Sequence, residues 1–250
     1  AAAYNNSPDW QRSFNILRYR KFGYTYLVFN LERQKITPNL RRLLYNILVK
    51  GNFAEKYLNG NGDPVHTPFL LLNDKVLPSL RRVEVLKSPV RLRMVTNSES
   101  KTRRELVLFL QQYLKTFNVY LEPVFLEYQT FLQYLRRGDF DMAVSGFMLD
   151  IDYDLTDILH SESHFNYAGY RNPEMDALLE RGIREMDRLK REKIYRSAHA
   201  LWLNDLPFLP LFSLYYHVGI STDIKIPKTV STLIGAEGDF LINISDWKTK

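Results

Sequence analysis

Six aspartates crowd one stretch of the chain: Asp139, Asp141, Asp150, Asp152, Asp154 and Asp157. Carboxylates at close spacing can hold calcium, act as acid and base on a substrate, or receive a ligand's positive charge. A calcium loop needs a glycine at its sharp turn and a closing glutamate, and residues 150–157 have neither. Hydrolysis needs an acid, a base and a nucleophile placed together. Asp139 and Asp141 sit on a turn and a strand start, which does not give them a common site, and nothing resembles a nucleophile elbow or a histidine metal cluster. His66 stands in a loop with no second ligand at metal spacing. The chain has no cysteine, so thiol chemistry, disulfides and cysteine metal sites are excluded. Two readings of Asp150 remain: a carboxylate that meets a ligand, or a solvated carboxylate in an acidic loop.

The elements that would position Asp150 are legible around it. In Glu127–Asp150, the residues Phe131, Leu132 and Leu135 fall at helical spacing. Arg136 and Arg137 suit the negative end of a helix dipole, and Gly138 suits a left-handed cap. Asp141–Phe147 is a short apolar run, as in a strand buried on both faces. Ligands of open α/β sheets sit beyond the carboxyl ends of strands, so Gly146, Phe147 and Asp150 lie where a ligand would be met. Upstream, Leu92–Val95 reads as a strand, Thr102 and Glu105 as a capping box, and Leu106, Phe109, Leu110, Tyr113, Leu114 and Phe117 as one helical face. Val119–Phe125 is the next strand, and Pro123 places it at an edge or end. This alternation predicts an α/β fold with a mixed, mostly parallel sheet flanked by helices.

Elsewhere, Ile16–Arg20 and Gly23–Asn30 read as strands. Thr37-Pro38 and Asn172-Pro173 read as helix starts. A helix from Asp187 to Asn204 would turn Leu189, Ile194, Tyr195, Ala198, Leu201 and Trp202 inward. The glycines of Asn59–Pro64 mark a loop and lack the Gly-Lys-Ser/Thr of a phosphate site.

The 250 residues suffice for one large or two small domains, with 45% hydrophobic and 25% charged residues typical of a globular chain. No apolar run is long enough to span a bilayer. The Ala-Ala-Ala-Tyr-Asn-Asn start is not a signal peptide, so a signal for export would lie upstream. The net charge of +6 comes from basic pairs scattered along the sequence, among them Arg41-Arg42, Arg81-Arg82 and Arg103-Arg104. That reads as a solvated surface and predicts no nucleic-acid binding by this segment.

Several motifs, taken in order, resemble the family 5 solute-binding proteins, the oligopeptide, dipeptide and nickel receptors of ABC importers. They are Tyr128 before a Phe131-Leu132 helix, Gly138-Asp-Phe-Asp141, a strand, then Gly146-Phe147 and Asp150. Gly169-Tyr-Arg-Asn-Pro-Glu-Met-Asp176 before Leu178-Leu179, and Asp205-Leu-Pro-Phe-Leu-Pro-Leu211, are similar to two further family motifs. Residues 70–90 depart, lacking the family's Ala-Gly-aromatic. Val144 stands where some oligopeptide receptors carry an arginine.

The resemblance implies a type II periplasmic-binding-protein lobe. Residues 1–30 would be a lead and inter-lobe hinge strand, 31–215 the C-terminal ligand-binding lobe, and 216–250 a return toward a missing N-terminal lobe. Phe240–Trp247 would be the terminal strand. Asp150 would pair with a peptide's ammonium, Phe147 and Tyr128 would wall the pocket beside Gly146, and Tyr26 and Asn30 would lie near the cleft floor. Tyr24 and Tyr26 read equally as one face of an ordinary strand. The implied partners are a peptide or small solute, ABC permease subunits and the missing lobe, on the periplasmic or extracellular side of a membrane. No catalytic residue, metal or cofactor is expected. The alternative is a cytoplasmic regulator's ligand-sensing domain built on the same fold.

Overall fold

The computed structural model describes residues 13–51, 53–70, 72, 86–148, 154–226, 233–234, 241 and 244–249. Two consecutive strands lead, β1 (Phe14–Lys21) and β2 (Gly23–Phe29), rich in the aromatic and β-branched residues that suit a pleated surface. Helix α1 (Pro38–Tyr45) opens as its sequence predicts: Thr37 Oγ1 accepts from the Leu40 amide at 3.2 Å, and Pro38 occupies the first turn. A π-helical stretch (Asn46–Lys50), helix α2 (Phe53–Leu58) and short strand β3 (Gly62–Pro64) follow. Then comes the expected alternation of β4 (Val90–Asn97), α3 (Lys101–Lys115), β5 (Val119–Leu126), α4 (Tyr128–Arg137) and β6 (Met142–Met148). One turn of helix, α5 (Thr156–Leu159), precedes a helical hairpin, α6 (Pro173–Arg184) and α7 (Arg188–Asp205). The long strand β7 (Phe208–Ser221) and three two-residue strands, β8 (Ile224–Lys225), β9 (Leu233–Ile234) and β10 (Lys248–Thr249), complete the described elements.

The main sheet has the order β5-β4-β6-β2-β7-β1-β9, with β3 pairing β7. It is mixed. β4 runs parallel to β5 and β6, the geometry that helical crossovers α3 and α4 impose. β2 is antiparallel to both β6 and β7, and β1 is antiparallel to β7. Pro123 lies on β5, at the end of the strand order, where its missing amide costs no ladder bond.

Three local expectations change. The cap of α3 is Ser100, whose hydroxyl accepts from the Arg103 amide at 3.3 Å, so the helix starts before Thr102. Leu189 does not face inward: it is 71% exposed, because it lies about 140° round the helix from buried Ile194. Where a terminal strand was expected, Ile244–Asp246 is a 3-10 turn; residues 235–240, 242 and 243 lie outside the described residues, as do 71 and 73–85 of the departing segment.

The core is one cluster on both sheet faces. Leu106, Leu110 and Leu114 of α3 are fully buried, as are Phe131 of α4 and Trp202 of α7. The indole of Trp202 donates to the Phe208 carbonyl at 3.2 Å. At the amino end of β6, Gly138 takes the left-handed conformation (φ 67°) that its sequence position predicts. There Asn30, 3% exposed, closes the corner: Nδ2 donates to the carbonyls of Gly138 (2.9 Å) and Phe140 (3.1 Å), and Oδ1 accepts from the Glu32 amide (3.1 Å). Replacing Asn30 with Ala leaves buried polar groups short of partners, which lowers stability by about 2 kcal/mol. A urea titration checks this; an unchanged midpoint would mean that water replaces the amide without loss.

Candidate functional site

The carboxyl ends of β4 and β6 and the amino end of β2 share one edge of the sheet, since Gly23 pairs with Met148 and Tyr24 with Phe147. Strand alternation puts Tyr24, Tyr26, Ser145 and Phe147 on one face there. Tyr24 and Tyr26 meet edge to face at 6.1 Å, and Tyr26 meets Phe208 at 5.5 Å. Burial pushes both phenols well above their ordinary range, so they stay neutral hydroxyls. The Tyr24 hydroxyl is buried without a partner among the described residues.

Arg103, in the first turn of α3, lies across this edge. Its Nη1 donates to Asn97 Oδ1 at 2.8 Å. Asn97 in turn donates to Glu99 Oε2 at 3.3 Å, and Glu99 Oε1 accepts from the Tyr128 amide at 2.9 Å. The amides of Glu99 itself and of Tyr128 hold the Glu99 carboxyl below its usual range. This chain of bonds ties the end of β4 and the starts of α3 and α4 into one frame around the guanidinium. Burial pushes the Arg103 guanidinium below its ordinary value, yet an arginine stays charged at neutral pH. No carboxylate pairs with it among the described residues.

Gly146 makes the space. A side chain there would put its Cβ 2.6 Å from Arg103 Nη2, so only glycine lets the guanidinium lie against β6. Two hollows flank this contact. The smaller, about 150 Å³, is lined by Gly23, Tyr24, Arg103, Phe147 and Tyr216. The larger, about 320 Å³, is lined by Tyr26, Arg103, Tyr128, Phe147, Asp157 and Tyr167. Arg103, Gly146, Phe147 and Met148 belong to both.

Of the residues singled out from sequence, Tyr26, Tyr128, Gly146 and Phe147 therefore meet in one hollow. Asn30 does not join them: it lies at the opposite end of β2, beside a separate hollow of about 730 Å³, with its amide engaged in backbone bonds. Asp150 lies outside the described residues. Sequence reasoning missed Arg103, which reads as half of a scattered basic pair. The available signal was its place one helical turn after a strand end, at the sheet edge where ligands are met.

No family model matches the chain. Two curated relatives from Escherichia coli (strain K12) are similar to it. A probable D,D-dipeptide-binding periplasmic protein is 20% identical over 88% of this chain and 46% of its own length. A periplasmic oligopeptide-binding protein is 25% identical over 52% of this chain and 24% of its own length. Among solved structures, the oligopeptide-binding protein AppA of Bacillus subtilis in complex with a nonapeptide aligns over 100% of this chain and 55% of its own, with a TM-score of 0.76 and 19% identity. NikZ of Campylobacter jejuni in complex with Ni(L-His) aligns over 99% of this chain and 55% of its own, at TM-score 0.75 and 18% identity. The chain thus spans about half the length of the relatives it matches. The family resemblance is borne out, and the fold is that of type II periplasmic binding proteins.

Replacing Gly146 with Ala tests the geometry of this edge. The methyl meets only the far end of a flexible side chain, so Arg103 swings away from Asn97 while the fold persists. The side-chain amide resonances of Asn97 and the guanidinium resonances of Arg103 should shift, with stability changed by less than about 1 kcal/mol. Loss of the folded state would show that the contact is part of the core.

Proposed function

We propose that the chain is the C-terminal lobe of an ABC importer's substrate-binding protein, taking peptides or similar small solutes between two lobes. The observation that carries this reading is Arg103: a desolvated guanidinium with no carboxylate partner among the described residues, set between two aromatic-walled hollows at the sheet edge. A guanidinium presents paired donors to a carboxylate, and the bond strengthens as a closing cleft excludes water. The Tyr24 hydroxyl would be a further donor beside it. Asp150, two residues beyond the end of β6, is the proposed partner of a ligand ammonium, and Phe147, Tyr128 and Tyr26 the apolar walls.

In this reading residues 1–30 hold the lead and the inter-lobe hinge strand, residues 31–215 the ligand-binding lobe, and 216–250 the return. The other lobe supplies the second wall of the cleft, and permease subunits receive the solute on the periplasmic or extracellular face of the membrane. The chain binds a ligand and does not transform it.

Calorimetry on the two-lobed receptor that carries this chain tests the assignment. Arg103→Gln should weaken a free-acid dipeptide by about tenfold to a hundredfold and leave its C-terminal amide unchanged, as expected for one charge-assisted pair. Equal loss for acid and amide would remove Arg103 from the site, and failure of every small peptide or solute to bind would overturn the receptor reading.

A further inference from the structure

We propose that the turn between α6 and α7 is a membrane-contact tip for anionic lipid headgroups. The two most exposed large apolar side chains among the described residues stand there together, Met186 at 88% and Leu189 at 71%, with Ile183 at 51% on the turn's other flank. Looseness of the hairpin does not explain this exposure. Ile194 and Tyr195 are buried beneath the tip, and Gly182 lets the Tyr195 ring pack so closely that a Cβ would lie 2.6 Å from it. The apolar residues are held outward by a rigid pair of helices.

Cations surround them. Residues 181–196 include Arg181, Arg184, Arg188, Lys190, Arg191, Lys193 and Arg196. Four carboxylates stand among them, leaving residues 180–196 a net charge of +3 from seven cations and four anions: Glu185 Oε1 accepts from the Asp187 amide at 2.9 Å, Asp187 Oδ1 from the Lys190 amide at 2.9 Å, and Glu192 pairs with Arg196 at 2.8 Å. Glu180 faces Arg184 at 3.6 Å. Arg181, Arg188, Lys190 and Lys193 have no ion-pair partner among the described residues. Exposed apolar side chains ringed by unpaired cations match the chemistry of a headgroup region, where the apolar atoms enter the interface and the cations meet phosphates. A sequence-level count sees only scattered basic pairs; the helical hairpin gathers these.

The base of the hairpin is fixed by Asp205 Oδ2, which accepts from Tyr170 Oη at 2.6 Å and Asn172 Nδ2 at 3.0 Å. The Phe29 amide donates to the Pro207 carbonyl at 3.3 Å, so that base lies at the Asn30 end of the sheet. The tip is about 18 Å away along α6, at the end remote from Asn30.

The test is co-sedimentation of the 250-residue chain with vesicles of phosphatidylcholine, with and without about a third phosphatidylglycerol. Binding should need the anionic lipid and fall as salt rises. Arg188→Ser with Lys190→Ser should weaken it by about 25-fold, at roughly fivefold per cation. Met186→Ser with Leu189→Ser should weaken it about tenfold or more through lost apolar burial. Lys56→Ser with Lys115→Ser, which removes charge elsewhere, should change it no more than a uniform loss of two charges allows. No binding to anionic vesicles overturns the proposal and leaves the tip to a protein partner. Equal loss in all three pairs also overturns it, assigning the attraction to net charge alone.

Discussion

The pairing of β2 with β6 is the constraint on which the rest of the structure depends. It joins the parallel half of the sheet to the antiparallel half, and its seven residue pairs run from Gly23–Met148 to Phe29–Met142. Leu27, Val28 and Phe29 of β2 and Met142, Ala143 and Val144 of β6 are fully buried or nearly so, which fixes the register, because a one-residue slip of either strand would exchange the side chains it presents to the two packed faces. The same slip would carry Tyr24, Tyr26 and Phe147 away from the hollows. Core packing and site geometry are therefore set by one interaction, and the sheet cannot adjust its edge without disturbing its middle.

The chemistry of the edge follows from what that pairing leaves open. Parallel strands β4, β5 and β6 end at one edge, and α3 and α4 begin beside the ends of β4 and β5, so Arg103 and Tyr128 are delivered to the place where Gly146 leaves room. Burying a cation is unfavourable, and Asn97 offers a neutral oxygen in place of a carboxylate. A charge held in that state is satisfied more fully by an arriving anion than by its resting partner. That asymmetry is a physical reason to read the edge as a binding site and not as another piece of core. At the other end of β2 the opposite holds: Asn30 and Arg33 spend their donors on the Gly138 and Phe140 carbonyls, and the corner is closed by internal bonds.

Much of this was legible in the sequence because it rests on local chemistry. Thr37-Pro38, Asn172-Pro173 and Gly138 announce helix ends through hydrogen bonds and dihedrals that neighbours alone determine. Gly146 and Phe147 follow from placing a strand end at the sheet edge, while Tyr26 and Tyr128 rest on the family resemblance. Features that depend on tertiary placement were not legible. Thr102 fits a capping box with Glu105, yet the hydroxyl that caps the helix is that of Ser100. Leu189 fits an inward periodicity until the phase of α7 against the sheet is known. Arg103 and Arg104 are equivalent in sequence, yet one lies across the sheet edge while the other turns outward to the Ser98 carbonyl.

The ribbon of β1 and β7 extends the same logic beyond the sheet's centre. Away from β3 and β9 the ribbon is two-stranded, which is marginal by itself, and all of β1 is exposed or only half-buried. Its side chains compensate. Arg18 lies over the Tyr215 ring at 4.2 Å and Lys21 over Tyr216 at 4.6 Å, while Tyr19 stacks on Tyr216 at 5.7 Å. Asp63 of β3 accepts from Arg20 at 2.7 Å and from the Tyr215 hydroxyl at 2.5 Å, which pins the ribbon to the lobe. Each cation–π contact is worth about 0.5–1 kcal/mol at an exposed site, so the ladder stiffens the ribbon without burying it. In the proposed reading residues 1–30 carry the hinge between two lobes, and a hinge needs that combination: enough cross-strand contact to hold its direction, and too little burial to lock it. Tyr216 also lines the smaller hollow beside Arg103, so the ribbon is in contact with the proposed site.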